Sequence, residues 1–99
     1  MIPIAIDDFS DEIYYLLLTS NIGRAQIYPD QYYDLSDHWE EVGLQKPSLI
    51  NLQHIYKGNG GMKTIGGLWP RLFKDVIRRL KEYQNMNPSK YYEEIKNLI

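Results

Sequence analysis

Apolar residues occur first in an unbroken run, then in short stretches punctuated by glycine, and finally at helical intervals. Residues 13–18, Ile13-Tyr14-Tyr15-Leu16-Leu17-Leu18, are the continuous run. It predicts a central strand covered on both faces, because a half-exposed strand would alternate. Before it, Ile2-Pro3-Ile4-Ala5-Ile6 reads as a short strand. Pro3 confines that strand to an edge or places it at a strand start, since proline has no N–H to give to a ladder. Residues 44–68 read as a β-hairpin whose arms flank Gly58-Asn59-Gly60-Gly61. The Asn-Gly pair suits the φ > 0 turn that lets twisted strands reverse.

The segments between are weaker. Residues 21–24 break the central strand, 25–28 read as a brief continuation, and 29–37 read as irregular. Residues 36–41 are expected to form a short helical turn, with Ser36 or Asp37 as N-cap and Gly43 ending it. Pro70 suits a first helical position, and residues 70–83 follow as a helix. Leu72, Phe73, Val76, Ile77, Leu80 and Tyr83 make its apolar stripe, while Arg71, Lys74, Arg78 and Lys81 make a basic ridge on the other side. Residues 85–88 halt it. Ser89 is expected to cap a short final helix, with Tyr92, Ile95 and Ile99 as its apolar positions, loosely docked. The pattern predicts one α+β domain: a short antiparallel sheet curled around strand 13–18, closed by the amphipathic helix.

Composition narrows the chemistry. There is no cysteine in 99 residues, which excludes disulfides and thiolate metal sites and suits a reducing cytoplasm. No apolar run is long enough to span a bilayer, and no signal-peptide pattern opens the chain, so neither membrane nor export is expected. The net charge of −2 conceals a segregation. Residues 1–45 hold nine Asp and Glu against Arg24 alone, whereas residues 46–99 hold ten Lys and Arg against four acids. Either the second part offers a basic face to an anionic partner, or the two parts neutralise each other within the fold. Nine tyrosines, six of them in the pairs 14–15, 32–33 and 91–92, put rings at the rim of a small core or on an interface. Phosphate-loop, zinc, nucleophile-elbow and dinucleotide fingerprints are all missing, so neither cofactor nor metal is expected.

The order of motifs does carry a resemblance. Residues 38–48, His38-Trp39-Glu40-Glu41-Val42-Gly43-Leu44-Gln45-Lys46-Pro47-Ser48, followed by Ile50, Ile55 and Lys63 through Ile65-Gly66-Gly67-Leu68, resemble the middle and end of PemK/MazF-like toxins. Leu18-Thr19-Ser20 is similar to the strand end that reads "iTS" in that family. The resemblance spans residues 12–80 and implies an SH3-like small β-barrel with helices packed on it. It also implies a toxin of a toxin–antitoxin pair, with a cognate antitoxin as partner and a homodimer as the common assembly. The implied activity is metal-independent endonucleolytic cleavage of single-stranded RNA. The RNA's own 2′-OH attacks the adjacent phosphate, so the protein need only move protons and stabilise the phosphorane.

Residue by residue, the carry-over is partial. Thr19, with Ser20 beside it, matches the family's hydroxyl position, although a threonine also ends many ordinary strands. The family's arginine precedes a proline and a hydrophobic strand; Ile2 stands in that place here, and the resemblance implies a shortened start. Arg24, four residues after Ser20, is the candidate to take over phosphate stabilisation, or else a loop arginine paired with a nearby Asp. His54 and Lys57 on the hairpin, and the ridge of Arg71, Lys74, Arg78 and Lys81, are candidate RNA or partner contacts. A non-catalytic binding module of the same fold, engaging protein or nucleic acid, is the alternative to the nuclease. It accounts directly for the missing arginine.

Overall fold

The computed structural model describes residues 2–7, 12–41, 43–59 and 70–99. They form a small α+β protein with two three-stranded antiparallel sheets and a few helices. In the first sheet β2 (Glu12–Leu16) lies between β1 (Ile2–Asp7) and β6 (Tyr56–Asn59). In the second, β5 (Leu49–Asn51) lies between β3 (Leu18–Thr19) and β4 (Tyr32–Asp34). Among the described residues the two sheets do not close into a barrel. Helix α1 (Arg24–Ile27) follows β3, α2 (Pro70–Met86) follows the sheets, and α3 (Tyr92–Ile95) ends the chain.

Strand β1 takes the edge position that Pro3 requires; Ile2 and Ile4 face inward, and a register irregularity between Pro3 and Ala5 brings Ala5 to the core and leaves Ile6 exposed. The central run of 13–18 departs from expectation. It changes sheets at Leu17, and its faces differ: Tyr14, Leu16 and Leu18 join the main core, whereas Leu17 is exposed. Over Tyr14, Tyr15 and Leu16 the strand is covered on both faces as expected, and the cover opens at Leu17.

The anticipated first hairpin arm is also broken. Residues 52–55 separate β5 from β6, and Gly58-Asn59 pairs with Ile13 and Glu12, while the rest of the anticipated turn, residues 60–61, lies outside the described residues. The anticipated return arm, residues 62–68, lies outside the described residues. Residues 25–28 curl into α1 instead of extending β3. Residues 29–34, read as irregular, form a 3-10 turn (Pro29–Gln31) and the edge strand β4. No helix forms over 36–41. There the Asp34 carboxylate, and neither Ser36 nor Asp37, accepts the first free N–H, that of Ser36, at 2.7 Å. Gly43 does end the turn, at φ 83°, with its N–H on the Glu40 carbonyl and the Leu44 N–H on that of Trp39. That bond pair is a Schellman arrangement, and its left-handed residue suits glycine.

Helix α2 buries Val76 and Leu80, with Leu72, Phe73, Ile77 and Tyr83 packed partly against the same cluster. One turn beyond Leu80 on that row stands Gln84, wholly buried and outside the expected stripe. Helix α3 is docked more firmly than its few apolar residues suggest. Tyr92 and Ile95 are core residues, and Tyr92 donates to Asn85 Oδ1 at 2.7 Å. Ser89 does not cap α3 with its side chain; its hydroxyl donates to Gln84.

Candidate functional site

Strand register sorts the expected catalytic residues onto one face. Leu18, Ile50 and Tyr33 lie opposite one another across the second sheet, and all three pack toward α2, where the Tyr33 hydroxyl donates to Asp75 Oδ2 at 2.7 Å. Directly opposed residues share a face, so Thr19, Leu49 and Asp34, with Tyr32 and Asn51, occupy the other one. The Thr19 hydroxyl thus stands on the face turned from the basic ridge. Helix and hydroxyl do not make one site.

Thr19 is half-buried, and its Oγ1 accepts the Asn21 N–H at 3.2 Å. That bond fixes the oxygen and leaves the hydroxyl proton to be donated elsewhere. Ser20 is exposed beside it. Arg24 does not reach toward Thr19; its Nη1 donates to the Tyr32 hydroxyl at 3.1 Å, which holds the guanidinium pKa above its ordinary value. Tyr32 belongs to β4, about 10 Å or two strand spacings from β3. A guanidinium has five N–H donors, so the Tyr32 bond leaves most of them available.

The first sheet carries an aromatic pair near the start of the same run. Tyr15 lies opposite Tyr56, and their rings stack with centroids 5.7 Å apart. Tyr15 is buried beneath that contact, Tyr56 is 36% exposed, and the exposed His54 meets Tyr56 edge-on at 6.4 Å. Tyr15, Leu17 and Thr19 are alternate residues spanning about 13 Å at the rise of an extended strand, with the change of sheet at Leu17 between them. An aromatic platform stands at one end and a hydroxyl at the other. The tyrosine pairs in the sequence were its only signal, and Tyr56 gave none.

Lys57 belongs to a different arrangement. Its ammonium lies 3.9 Å from Glu12 and 3.7 Å from Glu94, over the rings of Tyr14 and Tyr91. The Tyr14 phenol, ahead of the two carboxylates, raises its pKa, while Tyr14 itself donates to Glu94 Oε2 at 2.7 Å. This cluster joins α3 to the first sheet, so Lys57 works as an internal tie.

On α2, the ridge divides. Arg78 is bound to Asp75 at 2.6 Å and to Glu82 at 2.9 Å. Arg71, Lys74 and Arg78 line a cleft of about 690 Å³ with Tyr33, His38, Leu72 and Asp75; Lys81 lies outside it. Arg79, which the stripe and ridge both passed over, donates to the carbonyls of Pro29 and Tyr32 and so ties α2 to the second sheet.

Among the described residues, no group of three His, Cys, Asp or Glu side chains is placed to hold a metal ion, and no helix is long and apolar enough to cross a membrane. Comparison with protein-family models, curated proteins and solved structures finds no match to this chain.

Proposed function

We propose that this chain is a PemK/MazF-like toxin with an SH3-like core, acting in the cytoplasm as a metal-independent endoribonuclease on single-stranded RNA under the control of a cognate antitoxin. The observation that carries this reading is that Tyr15, Leu17 and Thr19 are alternate residues of one extended run, which sets the Tyr15–Tyr56 stack about 13 Å along the chain from the Thr19 hydroxyl. Aromatic faces hold unpaired bases without sequence readout. Further along, the Thr19 proton is available to a non-bridging phosphate oxygen, and the free N–H groups of Arg24 bring positive charge to the same face. The RNA's 2′-oxygen would lose its proton to water and bond to phosphorus, the bond to the 5′-oxygen would break and that oxygen take a proton from water, and the products would be a 2′,3′-cyclic phosphate and a 5′-hydroxyl. Incubation with long single-stranded RNA in EDTA, followed by end-group analysis, tests this.

One observation favours a second reading, a binding module of the same fold without catalysis. Arg24 is bound to Tyr32 and not directed at Thr19, and among the described residues no other cation bonds to the Thr19 hydroxyl. RNA retained by the protein but left intact in EDTA would select this reading.

A further inference from the structure

The cleft between α2 and the β4 side of the second sheet lies on the face opposite Thr19 and belongs to neither reading above. Its charges are unevenly satisfied. Asp75, the one carboxylate among the described residues of its wall, has both oxygens engaged: Tyr33 donates to Oδ2 at 2.7 Å, and Arg78 donates to Oδ1 at 2.6 and 3.0 Å. The third nitrogen of Arg78 is taken by Glu82. Arg78 and Asp75 therefore cancel locally, while among the described residues Arg71 and Lys74 form no ion pair. These two are three positions apart on one helix, so their stems emerge about 5–6 Å from each other. The cleft thus presents two unneutralised charges to one small volume.

We infer that this cleft binds the phosphate group of a nucleoside monophosphate. A phosphomonoester carries about −1.5 to −2 charges near neutral pH, which matches the two cations. Arg71 offers the planar fork that grips phosphate in two places, and Lys74 offers a mobile point charge. The volume of about 690 Å³ suits a molecule larger than a bare oxyanion, and Leu72 gives its sugar and base an apolar wall. His38, whose Nδ1 is held by Glu41 at 3.1 Å, closes the other side. The Tyr33–Asp75–Arg78 chain is the fixed floor.

The test is calorimetric titration with adenosine 5′-monophosphate, with adenosine as the phosphate-free control and inorganic phosphate as competitor. The nucleotide should bind, adenosine should not, and phosphate should displace the nucleotide. The Arg71→Ala/Lys74→Ala double variant should weaken binding by tenfold or more, while Lys81→Ala, on the same ridge but outside the cleft, should bind as wild type does. No binding of the nucleotide, equal binding of adenosine, or equal weakening by Lys81→Ala would overturn the inference. RNA cleavage is read separately, since neither Arg71 nor Lys74 lies on the Thr19 face, so the two proposals fail independently.

Discussion

The side-chain amide of Gln84, wholly buried, donates to the Leu52 carbonyl at 2.7 Å. It also donates to Gln53, and its oxygen accepts both the N–H and the hydroxyl of Ser89 at 2.8 Å. One amide thereby joins α2, the segment between β5 and β6, and the approach to α3. Gln84→Leu keeps the volume but leaves the Leu52 carbonyl and the Ser89 N–H without this partner. Each unpaired buried group costs about 1–3 kcal/mol, so denaturant unfolding should show a loss of about 3 kcal/mol. An unchanged midpoint would mean that water replaces the amide.

Tyr33 and Asp75 give the fold a pH dependence at both ends. Burial, then the hydrogen bond to Asp75, pushes the Tyr33 phenol up to about 12. A raised phenol means that this contribution is whole below the ordinary value of about 10 and is lost as pH rises through the folded value. Asp75 is held below its ordinary value, first by Tyr33 and then by Arg78. Its contribution is present above the ordinary carboxylate range and is lost as pH falls through the lowered value. Tyr33→Phe should cost about 1–2 kcal/mol at neutral pH. The deficit relative to wild type should narrow in alkali and in acid, as read by unfolding midpoints across pH.

Lys57 should matter to stability and not to nucleic acid. Its ammonium lies among Glu12, Glu94 and two tyrosine rings, and Tyr14 keeps its own bond to Glu94 if the lysine is lost. Lys57→Met is expected to lower the unfolding midpoint. Affinity for single-stranded RNA in a filter assay should stay as in wild type, and a large drop would return Lys57 to the binding surface.

Tyr56 is the exposed ring of the aromatic platform. A base stacked on an aromatic side chain contributes about 1–3 kcal/mol, so Tyr56→Ala should weaken binding of a short single-stranded RNA by about tenfold. Tyr56→Phe should retain it. Equal loss in both variants would point to the hydroxyl and away from stacking.

Periodicity made the helix at Pro70–Met86 legible, because it has one repeating rhythm and one face to cover, and Pro3 marked Ile2–Asp7 as an edge strand. In residues 13–18 periodicity missed the change of sheet at Leu17, because that exposed position is as apolar as its buried neighbours Tyr14, Tyr15 and Leu16. Residues 49–57 read as a single arm because nothing in Leu52-Gln53-His54-Ile55 marks a break; long-range pairing with different strands makes it. Gln84 was invisible for a related reason: a glutamine is polar in any pattern, and only its partners at Leu52 and Ser89 make it a core residue. Thr19, Arg24 and the ridge were identifiable as residue types. Their assignment to opposite faces depended on register, which no local motif encodes.

The most direct measurement is single-turnover cleavage of a long single-stranded RNA in EDTA by wild type, Thr19→Ser and Thr19→Ala. Wild type should leave cyclic-phosphate ends and Thr19→Ser should remain active. Thr19→Ala should be slower by about 10²–10³, as expected for loss of one donor to the transition state. Intact RNA with wild type, or a Thr19→Ala variant as fast as wild type, would contradict the account.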